Sequence, residues 1–214
     1  MRTIVALLAG AAALAALPTS ASAQCIAVGG VNNVPQPGLA CLSESTVPTY
    51  GATGVGIIPA AAATDIACLT GSATKIGRVQ SVRISGSGTA ISVPVLITKN
   101  LTASTGGTAT TGTGIPVPFR FDSADPAPSL TAVAYTANPT VTSGAGILSS
   151  GNLGLVATTV GAAVQPYVLF DYAERTFSEA PTLRGIAQQV CVNLNGTTPT
   201  ALLNVTFRWT ESPQ

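Results

Sequence analysis

The sequence lacks histidine altogether and has few charged or aromatic residues. Only 8% of its 214 residues are Asp, Glu, Lys or Arg, and 5% are Phe, Trp or Tyr. Without histidine, neither a Ser-His-Asp nor a Cys-His catalytic arrangement can form. The sequence also has no Gly-x4-Gly-Lys phosphate-binding loop. This composition excludes much of the common catalytic machinery and predicts a non-enzymatic protein with no catalytic residues, no cofactor and no metal.

The two signs of charge nearly cancel. The nine basic and eight acidic residues leave a net charge of +1, and Arg2 lies in the N-terminal leader described below. The sequence has no concentrated basic patch of the kind that would indicate a nucleic-acid partner. A near-neutral surface rich in Thr and Ser favours self-association, because little charge repulsion keeps copies apart. We therefore expect a homo-oligomer or a cell-surface or glycan partner.

The first 23 residues have the layout of a secretory signal peptide. Arg2 supplies the positive start, Ile4–Leu17 is an apolar run, and Ala21–Ala23 is a small-x-small cleavage site. The apolar run, about 14 residues, is shorter than the roughly 20 that a membrane-spanning helix needs. We expect cleavage before Gln24, no membrane span afterwards, and export to the periplasm, the cell surface or the medium.

Four cysteines, an even number, indicate disulfides in an exported chain. They are Cys25, Cys41, Cys68 and Cys191. Of the three connectivities we favour Cys25–Cys41, which closes a small N-terminal loop, together with Cys68–Cys191, which joins an early strand to a late one. Free buried thiols and metal ligands are the alternatives, although zinc sites usually show a Cys-x-x-Cys pair or histidine.

Alternating apolar residues predict β-strands. The clearest strand is Ala201–Thr210, one face of which carries Ala201, Leu203, Val205, Phe207 and Trp209. A second is Ile91–Ile97, where Pro94 cannot donate to a sheet hydrogen bond and so predicts a sheet edge or a bulge. In Ile76–Ser85 the apolar positions change phase, which also predicts a bulge.

The remaining pattern predicts an all-β chain. Further strands are predicted at Thr64–Thr70, Leu130–Thr136, Leu153–Thr159, Val164–Tyr172 and Gln188–Asn195. Gly, Pro, Val, Ile and Thr disfavour helix, apart from one turn within Tyr172–Ala180. Gly86–Gly88 is expected to be a turn, and Asn195-Gly196 predicts a hairpin between the last two strands. We predict a two-sheet antiparallel sandwich, jelly-roll-like rather than immunoglobulin-like, over residues 64–214, preceded by an irregular N-terminal arm at 24–63.

Carboxylates and tyrosines are the other candidate site residues. Asp122 and Asp125 lie in a segment where Asp favours turns, an interpretation that we prefer to glycoside hydrolysis or calcium binding. A second acidic group comprises Asp171, Glu174 and Glu179, which we expect to form a solvated ion-pair cluster with Arg175. For the tyrosines Tyr50, Tyr135 and Tyr172, core or rim packing is expected rather than a binding patch.

Several phrases resemble a loosely defined, uncharacterised group of small β-rich proteins from tailed phages and prophage-bearing bacteria. The phrases include Thr64-Asp65-Ile66, Phe121–Asp125, Ala134–Thr140, Leu183–Gln189 and Arg208–Glu211. The resemblance implies a virion-associated or surface-structural β-protein with no catalytic residues to carry over. A secretion signal and disulfides depart from that pattern, since virion proteins assemble in the cytoplasm, and suggest an exported relative.

Taken together, the sequence predicts an exported, non-enzymatic structural or surface interaction protein, in the manner of a virion-like scaffold. A carbohydrate-binding module is the main alternative, because sandwiches often display loops that bind sugars. A hydrolase that uses carboxylates alone is the third hypothesis.

Overall fold

The computed structural model describes residues 47–110, 114, 116–141, 146–157, 167–172 and 180–214. The predicted signal peptide, the first half of the predicted arm, and Cys25 and Cys41 lie outside these residues. So do the helical turn expected between Tyr172 and Ala180 and most of the second acidic group. The described residues form strands joined by turns and loops.

Twelve strands are found among the described residues. They are β1 (Thr49–Ile57), β2 (Ala63–Thr70), β3 (Lys75–Gly88), β4 (Ile91–Asn100), β5 (Thr108–Ala109), β6 (Val117–Arg120), β7 (Thr131–Ala137), β8 (Gly146–Leu155), β9 (Tyr167–Asp171), β10 (Thr182–Arg184), β11 (Gln189–Thr197) and β12 (Ala201–Pro213). All their pairings are antiparallel.

The strands form two sheets, which we call sheet A and sheet B. Sheet A has the order β10-β3-β12-β1-β6, with β9 also paired to β3, and sheet B has the order β5-β7-β2-β11-β4-β8. Early strands pair with late ones in nested fashion, β1 with β12, β2 with β11, β3 with β9 and β10, and β4 with β8. This rolled-up arrangement is that of a jelly roll, and the predicted fold class is confirmed.

The inner faces of the two sheets form one hydrophobic core. On β12 the five residues predicted to share a face are all buried, with Trp209 fully so and its ring centroid 5.9 Å from that of Tyr50. At the β8–β9 side, Gly151 leaves room for Val168 and Phe170 of the opposite sheet, since an added Cβ would lie 3.2 Å from Val168. Side chains therefore alternate between core and exterior as the sequence pattern predicted.

The Cys68–Cys191 disulfide is confirmed. The two residues lie directly opposite each other on β2 and β11, with their Cα atoms 4.1 Å apart and a sequence separation of 123. Both are fully buried, on the side of sheet B that faces away from the core. A disulfide of this kind is typical of proteins that mature outside the cytoplasm.

The predicted bulge in β3 is present, whereas the sheet edge predicted from Pro94 is found for only part of β4. Arg208 pairs with Ser81 and Trp209 with Val79, so Gln80 is the extra residue of the bulge. The strand β4 lies between β11 and β8 and is not an edge strand. Its first half, which contains Pro94, nevertheless pairs only with β8 among the described residues, so this half has one unpaired side, as at a sheet edge where proline is tolerated.

Residues 49–57, predicted to be part of an irregular arm, form β1 instead. This strand lies between β12 and β6 in sheet A. Its three glycines conceal the alternation of apolar residues, although Tyr50 and Ala52 point into the core. At Gly51, Phe119 of β6 lies across the strand, and an added Cβ would be 2.6 Å from that ring, so a larger residue would displace the phenylalanine. The sandwich therefore begins well before residue 64.

Two turn predictions were wrong. Asn195 and Gly196 have the positive φ values (53° and 75°) that such a turn requires, but they lie within β11, which pairs with β2 and β4 and not with β12. The chain passes there from one sheet to the other. Gly86–Gly88 is the end of β3, where an added Cβ on Gly88 would lie 2.2 Å from the Thr200 carbonyl oxygen.

The disulfide should contribute strongly to stability because it closes a long loop. We expect the Cys68→Ala/Cys191→Ala double variant to lose about 4 kcal/mol of unfolding free energy, measured by urea denaturation. Adding dithiothreitol should lower wild-type stability towards that of the variant and should affect the variant, in which only Cys25 and Cys41 remain, much less. A variant as stable as the oxidised wild type would contradict this role.

Candidate functional site

The acidic turn after β6 is structural, as the sequence predicted. The Asp122 carboxylate accepts a hydrogen bond from the Ala124 N–H at 2.8 Å, and the Asp125 N–H donates to the Asp122 carbonyl at 3.2 Å. Arg120 donates from Nη1 to the Asp125 carbonyl at 2.8 Å. These bonds fix the turn through side-chain and backbone contacts typical of aspartate.

The three tyrosines lie in the interior. Tyr50 and Tyr172 belong to the main core, and Tyr172 donates from its hydroxyl to Ser149 Oγ at 3.0 Å. Tyr135 packs with Val133 against the disulfide on the other side of sheet B. Their expected packing role is confirmed by their burial.

A buried polar cluster surrounds the disulfide, and its centre is Asp65. This side chain is 1% exposed. Its Oδ1 accepts from Asn193 Nδ2 at 2.7 Å, and its Oδ2 accepts from Asn100 Nδ2 at 3.2 Å and from Ser104 Oγ at 3.1 Å. Because a buried charge is costly unless hydrogen-bonded, these three donors are what make the carboxylate tolerable there. Asp65 and the two sulfurs lie close together, but sulfurs joined in a disulfide cannot act as thiolate ligands.

The segment after β4 covers this cluster. Ser104 binds Asp65 through its hydroxyl, and its N–H donates to Gln189 Oε1 at 2.8 Å. Further along, β5 pairs with β7 at the edge of sheet B. Two atoms beneath, Thr98 Oγ1 and Asn100 Oδ1, have no hydrogen-bond partner among the described residues. The central part of the outer face of sheet B is therefore closed to solvent.

A second buried carboxylate, Glu211, holds the loop before β7. Its Oε1 accepts from the Trp209 indole N–H at 2.9 Å and from the Leu130 N–H at 3.1 Å. Both carboxylate oxygens accept from the Ser129 N–H, at 2.9 and 3.0 Å. The residue is 4% exposed, so its charge, like that of Asp65, contributes little to the surface.

The Glu211 carboxylate affects the pKa of the nearby Tyr50 phenol. Its hydroxyl donates to the Pro126 carbonyl at 3.0 Å. Burial raises the pKa of the Tyr50 phenol above its ordinary value of 10.0, and the nearby carboxylates of Glu211 and Asp125 raise it further, while Arg120 acts in the opposite direction. Burial, followed by the Asp65 carboxylate, likewise raises the pKa of Tyr135.

The outer face of sheet A, in contrast, is open and carries arginine. Five arginines of this sheet are exposed: Arg78, Arg83, Arg120, Arg184 and Arg208. On β3 and β12, Arg83 lies opposite Thr206, and Arg208 lies opposite Ser81. The two arginines are thus diagonal neighbours on one face, about 7–8 Å apart at Cβ. Asp171 of β9, which lies opposite Ser81, shares the face.

Each of these two arginines stacks on an exposed aromatic ring. The Arg83 guanidinium lies 4.5 Å from the ring centroid of Tyr167, and that of Arg208 lies 4.8 Å from the centroid of Phe121. Tyr167 is 54% and Phe121 53% exposed. Phe121 in turn contacts Phe119, with ring centroids 5.2 Å apart. We call Arg83, Tyr167, Arg208, Phe121 and Phe119 the arginine–aromatic surface.

A shallow groove adjoins this surface at the β6 edge. It has a volume of about 600 Å³ and is lined by Pro118, Phe119, Arg120, Phe121, Ser123, Ala127 and Pro128. Rings and prolines give it apolar walls, and Arg120 adds a cation. The groove is a place where an apolar part of a ligand can lie next to the arginines.

The positions of these residues in the sequence carry a weak signal for this surface. Arg83, Arg208 and Tyr167 all fall within predicted strands, at positions that alternate with core residues. A charged residue on the exposed side of one strand is ordinary. What marks the surface is the alignment of three such strands, which requires the pairing of β9, β3 and β12.

Comparisons with known proteins assign no family. No family model matches the chain, and neither a curated protein nor a solved structure matches it. No helix among the described residues is long and apolar enough to cross a bilayer. Functional inference therefore depends on the residues of the two sheet faces.

The Asp65 cluster should be a strong structural determinant. We expect Asp65→Ala to lower the unfolding free energy by about 3 kcal/mol, because it leaves buried donors of Asn193, Asn100 and Ser104 without an acceptor. The exposed Asp122→Ala variant, which loses one turn bond, should lose at most about 1 kcal/mol. Urea denaturation followed by circular dichroism measures both. Equal losses would contradict the central place of Asp65.

The raised pKa of Tyr50 predicts a loss of stability in alkali. Since the unfolded chain releases the phenol proton at a lower pH than the folded chain, the unfolding free energy should decrease as pH rises above about 10. Tyr50→Phe should show a smaller alkaline decrease, despite losing about 1 kcal/mol at pH 7 with the bond to Pro126. Urea midpoints at pH 7 to 11 test this. An unchanged alkaline decrease in the variant would contradict it.

Proposed function

We propose that this chain is an exported, non-enzymatic surface interaction protein that binds its partner through the outer face of sheet A. The arginine–aromatic surface is the observation that carries the proposal. Arginine and aromatic residues are the side chains most enriched where proteins bind partners. Here they are exposed together on a sheet whose other face is a packed core.

Export is supported by two independent features. The first 23 residues have the three parts of a signal peptide. The Cys68–Cys191 disulfide would be reduced in most cytoplasmic compartments and persists in oxidising ones. The sandwich that it ties together provides a rigid support for a binding surface, since β2 and β11 are central strands of sheet B.

A role without catalysis is supported by the use made of the acidic residues. Asp65 and Glu211 are buried and accept hydrogen bonds from neighbouring donors. Asp122 caps a turn. In the absence of histidine these residues are committed to structure, while the exposed arginines remain for binding.

The proposal can be tested on intact cells of the organism that encodes the chain. Fluorescently labelled protein starting at Gln24 should bind these cells saturably, and Arg83→Gln/Arg208→Gln should lose most of that binding. Lys99→Gln, which removes a basic residue of sheet B, is the matched control and should bind like wild type. Thermal unfolding by circular dichroism establishes that the three proteins are folded.

The opposite result is equally clear. If the double variant and the Lys99→Gln variant bind cells as well as wild type, or if wild type does not bind, the outer face of sheet A is not the interaction surface. Mass spectrometry of protein secreted from the full-length gene should give an N-terminus at Gln24. Retention of residues 1–23 would contradict export by cleavage.

A further inference from the structure

We propose that the ligand of the arginine–aromatic surface is a linear polysaccharide bearing carboxylates, that is, a polyuronate. This inference rests on the proposed function and names the ligand class of the same surface. It follows from how the two arginines are held, from their spacing, and from the neutral polar groups beside them.

The two guanidinium groups are held in place before any ligand binds. Stacking on Tyr167 and on Phe121 restricts Arg83 and Arg208 while leaving the N–H groups at their edges available. A planar guanidinium can then donate two parallel hydrogen bonds to one carboxylate. Holding the side chains beforehand lowers the entropy cost of binding.

The spacing of the two pairs suits a polymer better than a small anion. Tyr167 belongs to β9, and Phe121 directly follows β6, so the rings lie towards opposite sides of the sheet; the strands β9 and β6 are about 19 Å apart, four strand spacings. The guanidinium groups lean towards these rings and away from each other. One small anion cannot contact both, whereas a chain with repeated carboxylates can.

Neutral polar groups of β12 and β1 lie beside the arginines. Thr53 and Thr206 are joined hydroxyl to hydroxyl at 3.1 Å, and Asn204 Oδ1 accepts from the Gly56 N–H at 2.9 Å. Hydroxyl and amide groups match the hydroxyls of sugar rings. The groove beside Phe119 and Phe121 offers an apolar wall for the less polar face of a sugar.

Charge complementarity favours an acidic ligand. Sheet A carries five exposed arginines, whereas two of the acidic residues that the structure describes, Asp65 and Glu211, are buried. Asp171 of β9 lies on the same face. Ser81 of β3 separates it from Arg208 of β12. A nucleic acid is a poorer match, because guanidinium groups already cover one side of the rings on which bases would stack.

Equilibrium binding to a polyuronate tests the inference. Protein starting at Gln24 should bind sodium polygalacturonate immobilised on a biosensor and should not bind neutral dextran. Arg83→Gln and Arg208→Gln should each weaken binding about tenfold, and Lys99→Gln should leave it within about twofold. Binding should weaken as sodium chloride is raised, because the contacts are ionic and exposed.

Each contrary outcome has a defined meaning. Equal binding to dextran, still reduced by the arginine substitutions, would overturn the acidic ligand and leave the proposed surface intact. Tighter binding to single-stranded DNA of equal charge would replace the polysaccharide with a nucleic acid. No binding to polygalacturonate, with cell binding that still depends on the arginines, would also overturn the inference. Cell binding independent of the arginines would instead remove the proposed function itself.

Discussion

The hydrogen bonds to the buried Asp65 carboxylate, together with the adjoining disulfide, determine which face of the sandwich meets solvent. Asp65 accepts from Ser104, which lies in the segment that crosses sheet B, from Asn193 of the neighbouring strand β11, and from Asn100 at the end of β4, one strand further on. The covalent link between β2 and β11 lies directly beside it. Because the charge must keep its donors once it is buried, the crossing segment stays in place over the middle of sheet B.

Among the described residues, the outer face of sheet A is the one that exposes arginine and aromatic side chains. Its two arginines would repel one another if both pointed into the space between them. They are instead drawn apart by rings at opposite sides of the sheet, Tyr167 and Phe121. Gly51 completes the arrangement, since its missing Cβ lets Phe119 lie across β1 and contact Phe121. A weakly charged chain thus concentrates cationic and aromatic groups on one surface.

How much of this was predictable depends on whether a feature is local in sequence. Strict alternation predicted the inward residues of β12 and, apart from the exposed Ile91, those of β4, and the phase change in β3 predicted its bulge. The glycines of β1 concealed a strand whose partners lie far away in sequence. Asn195-Gly196 correctly signalled positive φ but not the neighbouring strand. Both the Asp65 cluster and the arginine–aromatic surface join residues from several strands, so no single segment revealed them.

The asymmetry of the two faces is tested most directly by nuclear magnetic resonance, with signals for arginine Nε–Hε groups and backbone amides followed during titration with oligogalacturonate. We predict that the Arg83 and Arg208 Nε–Hε signals and the amides of Thr53 and Thr206 shift together. Signals of Asn100, Cys191 and the rest of the closed face of sheet B should not move. Shifts confined to sheet B, with the arginine signals unchanged, would contradict the account.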